Sequence, residues 1–155
     1  FKGPAVLSEK TTRAILQRLN SDTNTTNEVS KLVLIHDMKS PRDKIQAKKM
    51  MCSLGDEAYL NLIKIKRADN MAKADPHAID EKLKNMRSFY EEIKINNECY
   101  NLKSLAVNGD DIKAFGIAEG KEIKSSLDFL LNGVIEGKCQ NRKDVLLEYL
   151  KENTK

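Results

Sequence analysis

Tryptophan is absent, and cysteine, proline and glycine are scarce, at three, three and seven of 155 residues. Cys52, Cys99 and Cys139 are odd in number, far apart and never in C-x-x-C spacing. That argues against a disulfide framework or a zinc site and fits the reducing cytoplasm. So little Gly and Pro, beside 40% hydrophobic and 32% charged residues, excludes collagen-like, low-complexity and disordered classes. The longest dense apolar run, Leu32-Val33-Leu34-Ile35, is four residues, far below the roughly 18 or more of a bilayer span, so no membrane partner is expected. No signal peptide is visible, and an opening Phe1 without a basic or apolar leader suggests an internal or C-terminal piece of a longer protein. Four Tyr and four Phe offer few platforms for base stacking. Missing as well are a Ser/His/Asp or Cys/His set, a D-x-D pair, a Walker loop and a Rossmann fingerprint.

What is present is charge, unevenly spread. Lys plus Arg number 27 against 23 Asp plus Glu, for a net +4. Residues 1–55 carry ten basic and five acidic side chains, 56–98 eight and nine, and 99–155 nine and nine. A basic front is compatible with a face that meets a polyanion, and equally with solvated helix surfaces.

Apolar periodicity is helical nearly throughout, which predicts an all-α fold, a multi-helix array with a small C-terminal helical cap. A first helix is expected from about Val6 to Leu19 with Leu7, Ala14, Ile15 and Leu19 as its core stripe, and a second from Thr26 to Met38 with Val29, Leu32, Val33 and His36. Ser40-Pro41-Arg42-Asp43 predicts the start of a third, with Ser40 as N-cap and Gly55 as C-cap. Asp56–Ala74 and Pro76–Asn97 read as an antiparallel hairpin across Asp75-Pro76. Beyond Asn97 the elements shorten: a turn over Leu102–Val107, Asn108 as N-cap, a stop at Gly116, a helix from Glu119 to Ile135 stopped by Gly137, and a last helix to Glu152 capped by Asn141.

Four constellations stand out. His36-Asp37 is expected at the interior edge of the second helix, where Asp37 is a candidate metal ligand in an incomplete set. In Lys64-x-Lys66-Arg67-Ala68-Asp69, Arg67 and Asp69 fall on apolar stripes, so each needs a partner or a polar ligand. Gly116–Ile123 places two glycines and Lys121 at a helix start, a geometry that holds phosphate, although Glu119 and Glu122 oppose an anion there. Arg42, Lys44, Lys48 and Lys49 can line one stripe for backbone phosphates or form a solvated face.

The chain resembles the C-terminal, helical part of bacterial tRNA nucleotidyltransferases, the CCA-adding and poly(A)-polymerase-like superfamily. Phe1–Ser8, Ala14–Leu19 and Leu34-Ile35-His36-Asp37 look like the second half of an HD-type helical domain, and Ile65–Ala72 resembles the family's KRAD helix. Leu105–Asp111, Gly116–Ile123 and Asn141–Leu150 match its tail pattern. The chain departs from that pattern at Pro4, where a histidine is usual, and at Glu119, where proline is common. The resemblance implies an HD-like remnant over 1–55, a helical hairpin of an RNA-binding body over 56–98 and a helical tail over 99–155. It implies that these hold the acceptor arm of tRNA for an N-terminal catalytic head of the same parent chain, where Mg2+ acts with CTP and ATP. This chain itself would then have no catalytic residue and no cofactor of its own. Lys64, Arg67, Lys121, Lys124 and Arg142 are the expected RNA contacts. Two rival readings are a truncated HD-type metal phosphohydrolase centred on Asp37, and a helical module that mediates homodimerisation.

Overall fold

A computed structural model describes residues 4–71, 77–117 and 120–153. Among them are eight α-helices and a short 3-10 turn, with no strand: α1 (Pro4–Arg18), α2 (Thr23–Ile35), α3 (Lys44–Leu54), α4 (Asp56–Met71), α5 (His77–Ile95), the turn Leu102–Ser104, α6 (Gly109–Ala114), α7 (Gly120–Ile135) and α8 (Lys143–Asn153). The protein is all-α, as its periodicity predicts.

Local chemistry sets the helix ends. Four helices close alike. The second residue after the helix takes a left-handed backbone (Asn20, φ 54; Asn97, φ 49; Gly116, φ 108; Gly137, φ 72). The next amide then bonds back five residues, as in Ser21 N to Leu16 O at 3.0 Å and Lys138 N to Gly133 O at 2.9 Å. Gly116 and Gly137 were expected as stops; the two asparagines do the same job with less steric freedom. Asn108 is an N-cap as predicted, its side chain accepting from the Asp110 and Asp111 amides while Asp111 accepts from the Asn108 amide.

Three expected starts move. Helix α2 begins at Thr23, not Thr26, because the Asp22 carboxylate accepts from the Thr25 amide at 2.9 Å and its hydroxyl at 2.6 Å. Those two bonds hold the Asp22 carboxyl below its ordinary pKa. Helix α3 starts at Lys44 under Asp43, which accepts from the Gln46 amide at 2.7 Å; Ser40 and Pro41 lie in the connector before it. Nor does Asn141 cap α8. Its side chain accepts from the Ala106 amide and donates to the Ser104 carbonyl, both at 2.8 Å, and the Arg142 carbonyl takes the first helical bond, from Leu146.

The chain forms two compact units, 1–42 with 54–88, and 43–53 with 89–155. In the first, α1 packs on α2 and α2 on α4. Its core holds Ile35, Ala58, Tyr59, Leu62, Leu83 and Met86. The Tyr59 hydroxyl donates to the Met86 carbonyl at 3.0 Å, bringing the start of α4 to the middle of α5. The expected turn at Asp75-Pro76 lies outside the described residues. On α1 the predicted core stripe is exposed instead: Leu7 at 69%, Ile15 at 44% and Leu19 at 65%. Ala5, Thr12 and Leu16 of the same helix are half-buried.

In the second unit, α7 is the central helix, contacting α6, α8 and the 3-10 turn. Ile112, Leu130, Leu146 and Leu150 are fully buried, with Val107, Leu131 and Ile135 beside them. Helix α3 belongs here as well, held by a set of ion pairs described next.

Candidate nucleic-acid interface

The stripe on α3 is not a phosphate site. Lys44 Nζ donates to Glu92 at 2.6 Å and Glu98 at 2.9 Å, Lys48 pairs with Glu98 at 2.7 Å, and Lys49 with Glu136 at 2.6 Å. Three cations that read as available from their spacing are neutralised within their own unit. Burial alone would raise the Glu98 carboxyl, but the bonds from Lys48 and Lys44 outweigh it and hold it down at about 2. Glu136, bonded first by Lys138 and then by Lys49, also titrates at about 2. These lysines fasten α3 and leave little charge for an external anion.

A different basic surface lies in the first unit. Helix α2 stops at Ile35, and the connector Asp37–Arg42 bends over the side of α4 and α5. The result is a cleft of ≈ 520 Å³ walled by this connector, Lys66 of α4, and Lys82 and Asn85 of α5. Among the described residues its charged groups are Lys39, Arg42, Lys66, Lys82 and Asp37. Lys66 is half-buried, and its Nζ lies 3.4 Å from the His36 carbonyl, where a cation satisfies the end of α2 and its negative dipole pole. His36 Nδ1 meets the Val33 carbonyl, and its Nε2 is 3.2 Å from Asp37. The dyad is therefore not interior: Asp37 keeps 69% of its side chain exposed.

The buried line of α4 runs through Tyr59, Leu62, half-buried Lys66 and Asn70, with spacings of three, four and four. Arg67 and Asp69, expected along apolar stripes, are both exposed. At about 100° per residue, Lys64 lies about 200° round the helix from Lys66 and so on the side away from the cleft. Lys64 is exposed and donates to Asn61 at 3.2 Å. In the second unit Lys121 and Lys124 are exposed one turn apart on α7, whereas Arg142 is bound to Asp144 and brings little net charge. The recess beside Gly116 is walled by Phe115, Ile117, Glu122, Ser125 and Ser126, and includes no cation. Its expected member Glu119 lies outside the described residues.

The structure thus pairs Lys64 with Arg67 and Lys121 with Lys124, on separate units, and gathers none of the five expected contacts into the cleft. Lys39 and Lys82 were missed because no local spacing joins a connector to a helix some 40 residues on. Lys66 was legible, as the basic residue in register with Leu62. Among the described residues no three His, Cys, Asp or Glu side chains converge as a metal would need. The Mg2+ of nucleotide transfer therefore does not fit the groups described here.

By its fold the chain is an all-helical domain, with a cleft lined by basic side chains in its first unit. The chain belongs to the tRNA nucleotidyltransferase family: the model of tRNA nucleotidyltransferase domain 2 (putative) matches residues 5–150. No curated protein matches the chain. No solved structure matches it either.

Proposed function

We propose that this chain is the RNA-holding helical part of a tRNA nucleotidyltransferase that adds or repairs the 3′-terminal CCA, and that it grips the acceptor arm of tRNA. Nucleotide, Mg2+ and bond-making are assigned to a catalytic head of the same parent chain. The observation that carries this reading is the cleft, whose described lining brings Lys39, Arg42, Lys66 and Lys82 together from a connector and two helices. Family membership supports tRNA as the polyanion. An A-form helix hides its base edges in a deep groove and presents phosphates and 2′-hydroxyls, so a lysine-walled cleft suits a ligand that must be held whatever its sequence. Exposed Lys64 and Arg67 on the first unit and Lys121 and Lys124 on the second are further phosphate contacts in this reading, and Arg142 contributes less because Asp144 shares its charge.

Lys39 and Lys82 are the residues to change, since both are exposed and, unlike Lys66, neither closes a helix end. Lys39→Ala with Lys82→Ala is expected to weaken tRNA binding about equally for different tRNAs and to lower the salt slope by about 1.5–2. Arg67→Ala with Lys121→Ala tests the outer contacts in the same way. A folded chain that binds no tRNA, or a cleft variant with unchanged affinity and slope, overturns the proposal.

A further inference from the structure

On the second unit Phe129 of α7 and Tyr149 of α8 stack with centroids 5.3 Å apart and ring planes 8° from parallel. Offset stacking at this distance is a favourable aromatic arrangement. The pair is not enclosed: Phe129 is 38% exposed, in a chain that has only four Phe and four Tyr. Tyr149 reaches its place because position 133 is glycine; a Cβ there would sit 3.0 Å from the Tyr149 ring and 3.0 Å from Cys139 Sγ. Beside Phe129 opens a recess of ≈ 200 Å³ walled by Ser125, Ser126, Leu150 and Asn153. That is below the roughly 300–1,000 Å³ of pockets that enclose a drug-sized ligand, and suits a single planar ring laid against an aromatic one.

The surroundings are polar where the edge of such a ring would lie, with Lys121 and the opposing Glu122 one to two turns beyond. Ser125 and Asn153 are exposed on the rim; Ser125 Oγ donates to the Glu122 carbonyl at 3.0 Å and Asn153 Nδ2 to the Tyr149 carbonyl at 2.8 Å, which leaves their oxygens to accept from a base edge. Lys121, Ser125 and Phe129 follow one another at intervals of four along α7, so they share one face, with exposed Lys121 about 12 Å up the axis from Phe129. An apolar side chain left in water beside hydroxyl, amide and ammonium groups matches the needs of an unpaired nucleotide: a π face, hydrogen-bonding groups at the base edge, and a cation for the phosphate.

We propose that the Phe129–Tyr149 stack is a platform on which an unpaired base of the bound RNA lies, steadied by Ser125 and Asn153 at its edge and Lys121 at its backbone. This rests on the tRNA reading above and adds to it a contact through stacking, which salt does not screen.

The test uses the 155-residue chain and tRNA. Phe129→Leu keeps an apolar side chain but removes the π face; affinity is expected to fall roughly 5- to 150-fold with an unchanged salt slope, because no cation is lost. Phe129→Trp keeps the platform and introduces the chain's single indole; its emission is expected to be quenched as tRNA saturates it, with near-native affinity. If the native chain binds tRNA but Phe129→Leu binds as tightly, or the indole stays unquenched at saturation, the platform is overturned and the cleft stands. If the native chain binds no tRNA, the underlying reading falls and the platform with it.

Discussion

Lys48 Nζ lies 2.7 Å from Glu98 Oε2, with only 12% and 20% of the two side chains exposed, and the same carboxylate takes Lys44 at 2.9 Å. Glu98 titrates at about 2 in the folded chain against an ordinary value of 4.5. Its stabilisation is complete above about pH 4.5 and drains away as pH falls toward 2, because the unfolded carboxyl takes up its proton first. Glu98→Gln leaves Lys48 largely buried without its counter-charge and is expected to cost about 1–3 kcal/mol at neutral pH. The gap between variant and native should narrow as pH falls through 4 and 3. Urea unfolding at pH 7, 5 and 3 reads it; an equal gap at every pH would place the cost in packing instead.

Asn141 offers a second test, away from charge. One amide side chain both accepts from the Ala106 amide and donates to the Ser104 carbonyl, as a paired strand would, and so pins the segment between the 3-10 turn and α6. Asn141→Ala removes both bonds and is expected to cost about 1–2 kcal/mol. Asn141→Asp keeps the acceptor and loses the donor, so it should fall between the two. In hydrogen exchange, the Ala106 amide should lose protection in the alanine variant and keep most of it in the aspartate variant. Were Asn141 a helix cap, protection would be lost at the start of α8 and not at Ala106.

These residues also show how much could be read in advance. Gly116, Gly137 and Asn108 were legible as a stop, a stop and a cap because each acts through its own backbone or its nearest neighbours. Asn20 and Asn97 make the same left-handed turn, yet asparagine does so only when the surrounding bonds favour it. The stripe Leu7, Ile15, Leu19 was a true periodicity assigned to the wrong side, since spacing reveals that an apolar face exists and not what covers it. Lys49 and Glu136 are 87 residues apart, and no local pattern links them; the lysines of α3 therefore looked available. The cleft has the same origin, its walls coming from three separate segments. On α4, one apolar helix face was divided between two neighbouring stripes, and Arg67 was placed where Lys66 lies.

Two glycines of one helix should respond in opposite directions to the same substitution. At Gly120, the first residue of α7, an added Cβ meets nothing within 4 Å. Gly120→Ala should therefore stabilise by about 0.4–1 kcal/mol, through the unfolded chain's lost freedom. At Gly133 the same methyl meets Tyr149 and Cys139 Sγ, each at 3.0 Å. Tyr149 cannot yield without sliding along Phe129, so the strain, typically about 1–3 kcal/mol for overpacking, should exceed the helix-propensity gain of about 1 kcal/mol. Gly133→Ala is thus expected to lower the melting temperature while Gly120→Ala raises it. If the ring is displaced, Gly133→Ala should also weaken tRNA binding along with Phe129→Leu, whereas Gly120→Ala leaves it intact. A Gly133→Ala chain more stable than native would show that Tyr149 moves freely, and that its stacking on Phe129 is not held in place by the helix beneath it.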